Sequence, residues 1–342
     1  MKKITALLLV IVLSLMAIVS CTPNQQGGNS GGNGEERQKI KVGYLSGPTG
    51  MGMAKLIIDN NGLDGGNEKY EFTNFADNVE NAMIALTKGE VDVICMPTNN
   101  AAVYPTQSEN DAKILAVNCL NSLFLATEVP ADHEGEISLE DFAGKTIYTC
   151  KAGTPRLVLQ HILDKLEINA TVSFTVNGSE VLKPGDIASH AITGNIPNVV
   201  LPEPLISNVI TKRITSAQLN PLVVRGIDLA DEWAKIYNTP ITMGCLVADA
   251  DFVNANKATI DLFLEEYKAS VEYMTNPDNF DSAAQYIVDS AIVPALPLAR
   301  SALSELTESL VLMDGAQMKE ALIAFYNAIG IALPDETIYY AK

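Results

Sequence analysis

Three short stretches place small or amide-bearing residues directly ahead of a helical pattern. They are Ser46-Gly47-Pro48-Thr49-Gly50, Thr98-Asn99-Asn100 and Gly153-Thr154-Pro155. A helix start offers unpaired N–H donors and about half a positive charge, and glycine lets a ligand approach the backbone closely. Thr49 and Thr98 add hydroxyls that bind a ligand or cap a helix, and the two asparagines add groups that both donate and accept. This is chemistry for holding a small polar molecule. A plainer reading of each stretch is a tight strand-to-helix turn. Asn121-Ser122 adds polar groups at the end of another strand. Glu203 stands between Pro202 and Pro204, which stiffen its backbone and aim a carboxylate at a ligand amine or amidine, unless it is simply a surface acid. Arg156 either clamps an anion or lies solvated on an outer face. Tyr44, Phe124 and Tyr148 lie at strand ends, where an aromatic ring stacks on a ligand or, more commonly, fills a core; Trp233 reads as packing.

Catalysis is poorly served. His133, His161 and His190 are scattered, and none has a Ser, Cys or carboxylate partner at a recognisable spacing. Cys95, Cys119, Cys150 and Cys245 form no C-x-x-C pair and no metal-ligand pattern. They sit in apolar runs and read as buried thiols, with a Cys95–Cys119 bridge as the alternative in an oxidising compartment. No cofactor and no metal are expected, and an enzyme is the weakest of the readings.

The fifth cysteine is different. Lys2 and Lys3 precede an apolar run from Ala6 to Val19, and Ser20-Cys21 closes it. A basic start, a short apolar middle and a small residue before the cut describe a secretory leader over residues 1–20. The run is shorter than the ~20 residues needed to span a bilayer. A cysteine just after the cut has the pattern of a bacterial lipobox, so Cys21 is expected to be acylated and to tie the chain to the outer face of the cell membrane. One acyl chain anchors only marginally; the lipobox likeness implies several. Residues 21–38 are rich in Gly and Asn and too polar to fold, which suits a flexible tether. The 342 residues are 47% hydrophobic and 19% charged, with a formal net charge of -18. Removing Lys2 and Lys3 with the leader brings this to -20. Nucleic acid is thereby excluded as a partner, and an anionic membrane surface would repel the protein body.

The elements that must position these residues alternate. Strands are expected at 40–45, 70–75, 91–96, 113–117 and 123–127, with helices at 51–58, 79–88 and 99–104 between them. Ser138-Leu139-Glu140-Asp141 reads as a capping box, and a second α/β pattern then begins. It has strands at 145–149, 171–175 and 199–201, a helix opening on Thr154 as N-cap with Pro155 first inside, and another from Leu205. After a strand at 244–248 the rest reads as helical, at 258–274, 282–290, 301–313 and 317–329. Strand–helix alternation argues for parallel, doubly wound sheets. An echo joins the halves: 85–97 and 191–202 each run helix, glycine, apolar strand, proline. A chain of this length is expected to form two domains.

Several segments together resemble the solute-binding proteins of bacterial ABC importers. The group is the type II one that includes nitrate-, sulfonate-, taurine- and thiamine-pyrimidine-binding members. Beside the lipobox and tether, the matching pieces are Lys41-Val42-Gly43-Tyr44-Leu45 with GPTGMGMAKL (47–56), KGEVDVICMPTNNAAVY (88–104) and ISLEDFAGKTIY (137–148). KAGTPRLVLQHIL (151–163), VVLPEP (199–204) and PITMGCLVADADF (240–252) follow in order. Asn195-Ile196-Pro197-Asn198 departs from the acidic strand start seen at Glu90-Val91-Asp92. The resemblance implies an α/β type II periplasmic-binding-protein fold with two doubly wound lobes. Lobe 1 would comprise 39–126 and 238–342, lobe 2 would comprise 127–237, and crossings near Ala126–Pro130 and Tyr237–Met243 would act as a hinge. It implies a monomer that closes on a small-molecule solute, nitrate-, sulfonate-, taurine- or thiamine-pyrimidine-like, and passes it to an importer permease. The alternatives are a ligand-sensing receptor module and, less favoured, an enzyme on the same fold.

Overall fold

The computed structural model describes residues 37–342 except 109, 131, 152 and 216–220. The leader, Cys21 and the tether up to residue 36 lie outside the described residues. Arg37 is already tied down, pairing with Glu266 at 2.6 Å.

The chain begins with β1 (Ile40–Tyr44), α1 (Pro48–Met51), α2 (Ala54–Asp59), β2 (Tyr70–Asn74), α3 (Val79–Thr87), β3 (Val93–Pro97) and α4 (Thr98–Ser108). β4 (Ala112–Leu120) and β5 (Leu123–Val129) are joined by Asn121-Ser122 alone. Next come β6 (Thr146–Tyr148), α5 (Thr154–Lys165), β7 (Thr171–Ser173) and a small hairpin of β8 (Thr175–Val176) and β9 (Ser179–Glu180). They are followed by α6 (Pro184–Ile192), β10 (Asn198–Pro202), α7 (Leu205–Thr215), β11 (Leu222–Asp228) and α8 (Leu229–Ala234). The chain continues with β12 (Thr242–Asp249), α9 (Ala250–Ala255), α10 (Lys257–Met274), α11 (Phe280–Asp289), α12 (Leu296–Leu306), β13 (Leu310–Asp314) and α13 (Gly315–Ala328).

Two main sheets result. One runs β13-β4-β12-β3-β1-β2, the other β11-β5-β10-β6-β7. Both are mixed, where the alternation predicted parallel ones. β1 pairs parallel with β2 and β3, but β12 inserts antiparallel between β3 and β4. In the second sheet β10 is parallel to β6 and antiparallel to β5. The parallel strands need crossover helices; the reversed strands β5 and β12 are those by which the chain enters each sheet from the other, and β13 is a reversed edge strand on β4. Because β5 lies wholly in the second sheet, the first passage falls at Asn121-Ser122, earlier than Ala126–Pro130.

The echo has a structural counterpart. α3 and α6 each end before a left-handed glycine, Gly89 at φ 68° and Gly194 at φ 75°. Each then leads to a central strand that ends in proline, at Pro97 or Pro202. The unusual start of β10 is accommodated by Asn198, whose amide donates to the Thr146 carbonyl at 2.8 Å and accepts from Thr127 at 2.7 Å.

Three local readings need correction. The helix expected at 301–313 stops at Leu306, and Leu310–Asp314 is the edge strand β13 on β4. Its apolar run was read as the continuation of a helical period, which periodicity cannot separate from a short strand. α5 is not capped by Thr154: Gly153 is the N-cap, Thr154 the first helical residue and Pro155 the second. β11 and α8 were missed altogether. The Ser138/Asp141 capping box forms, but on a single 3-10 turn. Cys95, Cys119 and Cys245 are buried and unbridged, and Cys150 is buried; β12 lies between the strands of Cys95 and Cys119. Among the described residues no helix is long and apolar enough to cross a membrane.

Candidate functional site

Gly47 and Gly153 hold the same unusual backbone, φ/ψ of 85°/-163° and 93°/-178°. That region is essentially glycine-only, so the turns before α1 and α5 require glycine whatever else they do. A methyl added at Gly47 would stand 3.9 Å from Pro204 Cδ, which places the first predicted segment against the Glu203-Pro204 turn of the other sheet. The second and third segments also meet: the Thr154 hydroxyl donates to Asn99 Oδ1 at 2.9 Å, joining the starts of α4 and α5. Gly244 of β12 ties the first two together. It pairs with Pro97 just before Thr98, and a Cβ on it would lie 2.5 Å from Thr49 Cγ2. Residues 46–50, 98–99, 153–154 and 203–204 therefore converge where the two sheets adjoin, at the carboxyl ends of β1, β3 and β10. This is where open α/β sheets bind ligands.

Not every side chain there is free. The Thr98 hydroxyl donates to the Thr242 carbonyl at 2.7 Å and does not cap α4. Asn121, in the left-handed region at φ 44°, accepts from the Ile241 N–H at 2.9 Å while its own N–H donates to the Ile241 carbonyl at 3.0 Å. It stitches the two inter-sheet passages together. Asn100 turns its amide toward Met83 Sδ at 3.8 Å. Ser46 donates its backbone N–H to the Ala76 carbonyl, and Pro48 begins α1. Arg156 points away, donating to the Lys151 carbonyl at 2.7 Å. The Tyr44 hydroxyl donates to the Ser290 carbonyl at 3.0 Å, and Tyr148 packs against the second core.

Glu203 is fully buried. Its Oε1 accepts from Ser207 at 3.0 Å and from the Arg225 guanidinium. Arg225 lies 4.5 Å over the Phe124 ring and pairs with Glu305 of α12 at 2.5 Å. Ser301 of α12 donates to Ser207 at 3.0 Å, so a polar network crosses between the sheets beside the candidate site. Burial pushes the Glu203 carboxyl up to about 7, with Arg225 and Ser207 pulling it back only in part. Burial also pushes Asp228, at the end of β11, up to about 6.

Reading the sequence alone missed Asn118, Thr242, Ser207, Arg225 and Ser301. Asn118 sits inside an apolar strand, and a buried polar residue in such a run was the one available signal. Asn118 donates to the Thr49 carbonyl at 2.8 Å and to the Tyr267 hydroxyl at 3.1 Å. Trp233 of α8 packs as expected. It donates to the Thr239 carbonyl at 2.8 Å, and its ring lies 4.8 Å from Tyr237 and 5.7 Å from Phe325 of α13. His161 is spent on Tyr237 at 2.7 Å, and burial lowers its pKa. Among the described residues no group of His, Cys, Asp and Glu is arranged to hold a metal ion. Two surface depressions, one between Lys55 and Glu266 and one between Pro105 and Pro334, lie away from this junction.

No protein-family model matches the chain, and no curated protein does. Solved structures do. An ABC transporter structure from Parabacteroides distasonis matches with a TM-score of 0.67 at 18% identity, over 89% of this chain and 99% of that one. The periplasmic aliphatic sulphonate-binding protein SsuA from Escherichia coli matches with 0.65 at 13%, over 90% and 93%. The periplasmic nitrate-binding protein NrtA from Synechocystis matches with 0.52 at 12%, over 74% and 66%. The fold is that of a type II periplasmic binding protein. Residues 46–50, 98–99, 153–154 and 203–204 lie at this junction, while Asn100 turns toward Met83 and Arg156 toward Lys151.

Proposed function

We propose that this chain is an extracytoplasmic solute-binding protein of an ABC importer. It captures one small polar or heterocyclic solute by closing two lobes on it. In this reading the lobes are residues 39–121 with 242–342, and residues 122–237. The hinge is the stitched pair of passages at Asn121-Ser122 and Tyr237–Thr242. Acylated Cys21 holds the protein at the outer membrane face, and the loaded, closed form docks on a permease. The observation that carries this reading is the convergence of residues 46–50, 98–99, 153–154 and 203–204. They come from both sheets and meet at strand ends on a fold shared with importer components. A ligand shifts a two-state balance only by binding one state more tightly, and contacts drawn from both sheets supply that difference on closure.

Mass spectrometry of what is released when the purified full-length protein is unfolded should reveal one small molecule. Small-angle scattering should then show the stripped protein contracting when that molecule is returned. A protein that retains nothing from a metabolite extract, or whose radius of gyration ignores the solute it retained, overturns the reading. Cys21→Ala should move the protein from the membrane fraction to the soluble one; unchanged fractionation would remove the lipid anchor.

A further inference from the structure

Four buried side-chain atoms at the junction have no hydrogen-bond partner: Asn118 Oδ1, Ser122 Oγ, Thr242 Oγ1 and Glu203 Oε2. Their residues are between 0% and 1% exposed. Leaving such an atom unpaired forfeits its hydration without return, and native proteins rarely do so without a reason. Backbone contacts tie their four residues together. Ser122 follows Asn121 and Thr242 follows Ile241, the stitched pair, and the Ser122 carbonyl accepts the Glu203 N–H at 3.1 Å. Asn118 lies two residues before Leu120, which pairs with Thr242. Its Oδ1 is 2.6 Å from where a Cβ on Gly244 would stand, so any larger residue there would collide with that oxygen. The other unpaired buried atoms, on Arg37, Arg213 and Tyr339, stand singly elsewhere.

Their chemistry is one-sided. The Asn118 Nδ2 is committed to the Thr49 carbonyl, which accepts only an N–H, so the orientation of the amide is fixed and its free atom is an acceptor. Glu203 has spent Oε1 on Ser207 and Arg225, so once the carboxyl is ionised, above about pH 7, its free atom is a carboxylate oxygen that accepts. The Ser122 and Thr242 hydroxyls adapt to either role. The one unpaired donor nearby, Arg225 Nε, belongs to a side chain 21% exposed whose other nitrogens are taken by Glu203 and Glu305.

We infer that the solute is an N–H donor at two places, an amino-heterocycle, amidine or ammonium compound, held by Asn118 Oδ1 from one sheet and Glu203 Oε2 from the other. This deepens the capture reading and rests on it. With Glu203 ionised, a bare oxoanion would set lone pairs against lone pairs at both positions. The N-termini of α4 and α5 can still serve an oxygen on another part of the same molecule.

Calorimetry on the full-length protein at pH 8, where Glu203 is ionised, tests this with two probe sets. Cytosine, 4-aminopyrimidine, benzamidine and agmatine are the donors; nitrate, sulfate and methanesulfonate are the oxoanions. At least one donor should bind ten times more tightly than every oxoanion. Glu203→Gln and Asn118→Leu should each weaken that donor about tenfold. The probe sets decide on the unmodified chain even where a variant does not fold. An oxoanion that binds more tightly than all donors, or a panel in which no donor binds, overturns the inference. The extract experiment above reports separately on capture itself.

Discussion

Glu203 carries the clearest consequence at the scale of single residues. Its folded-state pKa of about 7 lies above its ordinary 4.5 because burial disfavours the ionised form. The folded chain therefore holds a proton that the unfolded chain releases between these values. The stability this contributes is complete below about pH 4.5 and lost as pH rises through about 7, on the order of 3 kcal/mol in all. Asp228, raised to about 6 from 3.8, adds a slope of the same sign at lower pH. Arg225 and Ser207 oppose the shift on Glu203, and Glu305 of α12 reinforces it. Chemical denaturation of the solute-free protein should show stability falling from pH 5 to pH 7.5, and Glu203→Gln should flatten that fall. An unchanged slope in the variant would assign the titration to another group. The prolines around Glu203 made it visible in the sequence. Arg225 and Ser207 were not, because their roles depend on α12 arriving from about a hundred residues further along the chain.

At the scale of elements, the turns before helices were the legible part. Gly-Pro before α1 and Gly-Thr-Pro before α5 each mark a helix start by composition alone. The error at α5 was one of position: glycine's permitted backbone, and not the threonine hydroxyl, ends the turn. That frees Thr154 to reach Asn99 on α4. A hydrogen bond of this kind contributes about 0.5–1.5 kcal/mol. Thr154→Val keeps the shape and removes the bond, so affinity for the retained solute should fall about three- to tenfold by calorimetry. Affinity equal to the wild type would show that this bond does not help the closed form. Strand β13 was illegible for a different reason. Leu310–Asp314 continues the apolar spacing of α12, and only the free edge of β4 decides that it is extended.

At the scale of the whole molecule, the alternation of strands and helices gave the fold class, and the repeated helix–glycine–strand–proline unit recurs once in each of the two main sheets. The mixed strand directions were hidden because they follow from where the chain changes sheets, a choice made by contacts distant in sequence. The same arrangement places the chain's one tryptophan at an informative point. Trp233 rides on α8, which packs on the five-stranded sheet, while its ring touches Phe325 of α13, which packs on the six-stranded one. A relative rotation of the halves must alter the surroundings of that indole. Solute addition should therefore shift its emission, and Trp233→Phe should abolish the signal. Under the proposed capture reading, that indole is a built-in optical gauge of closure, readable in a cuvette without any attached dye.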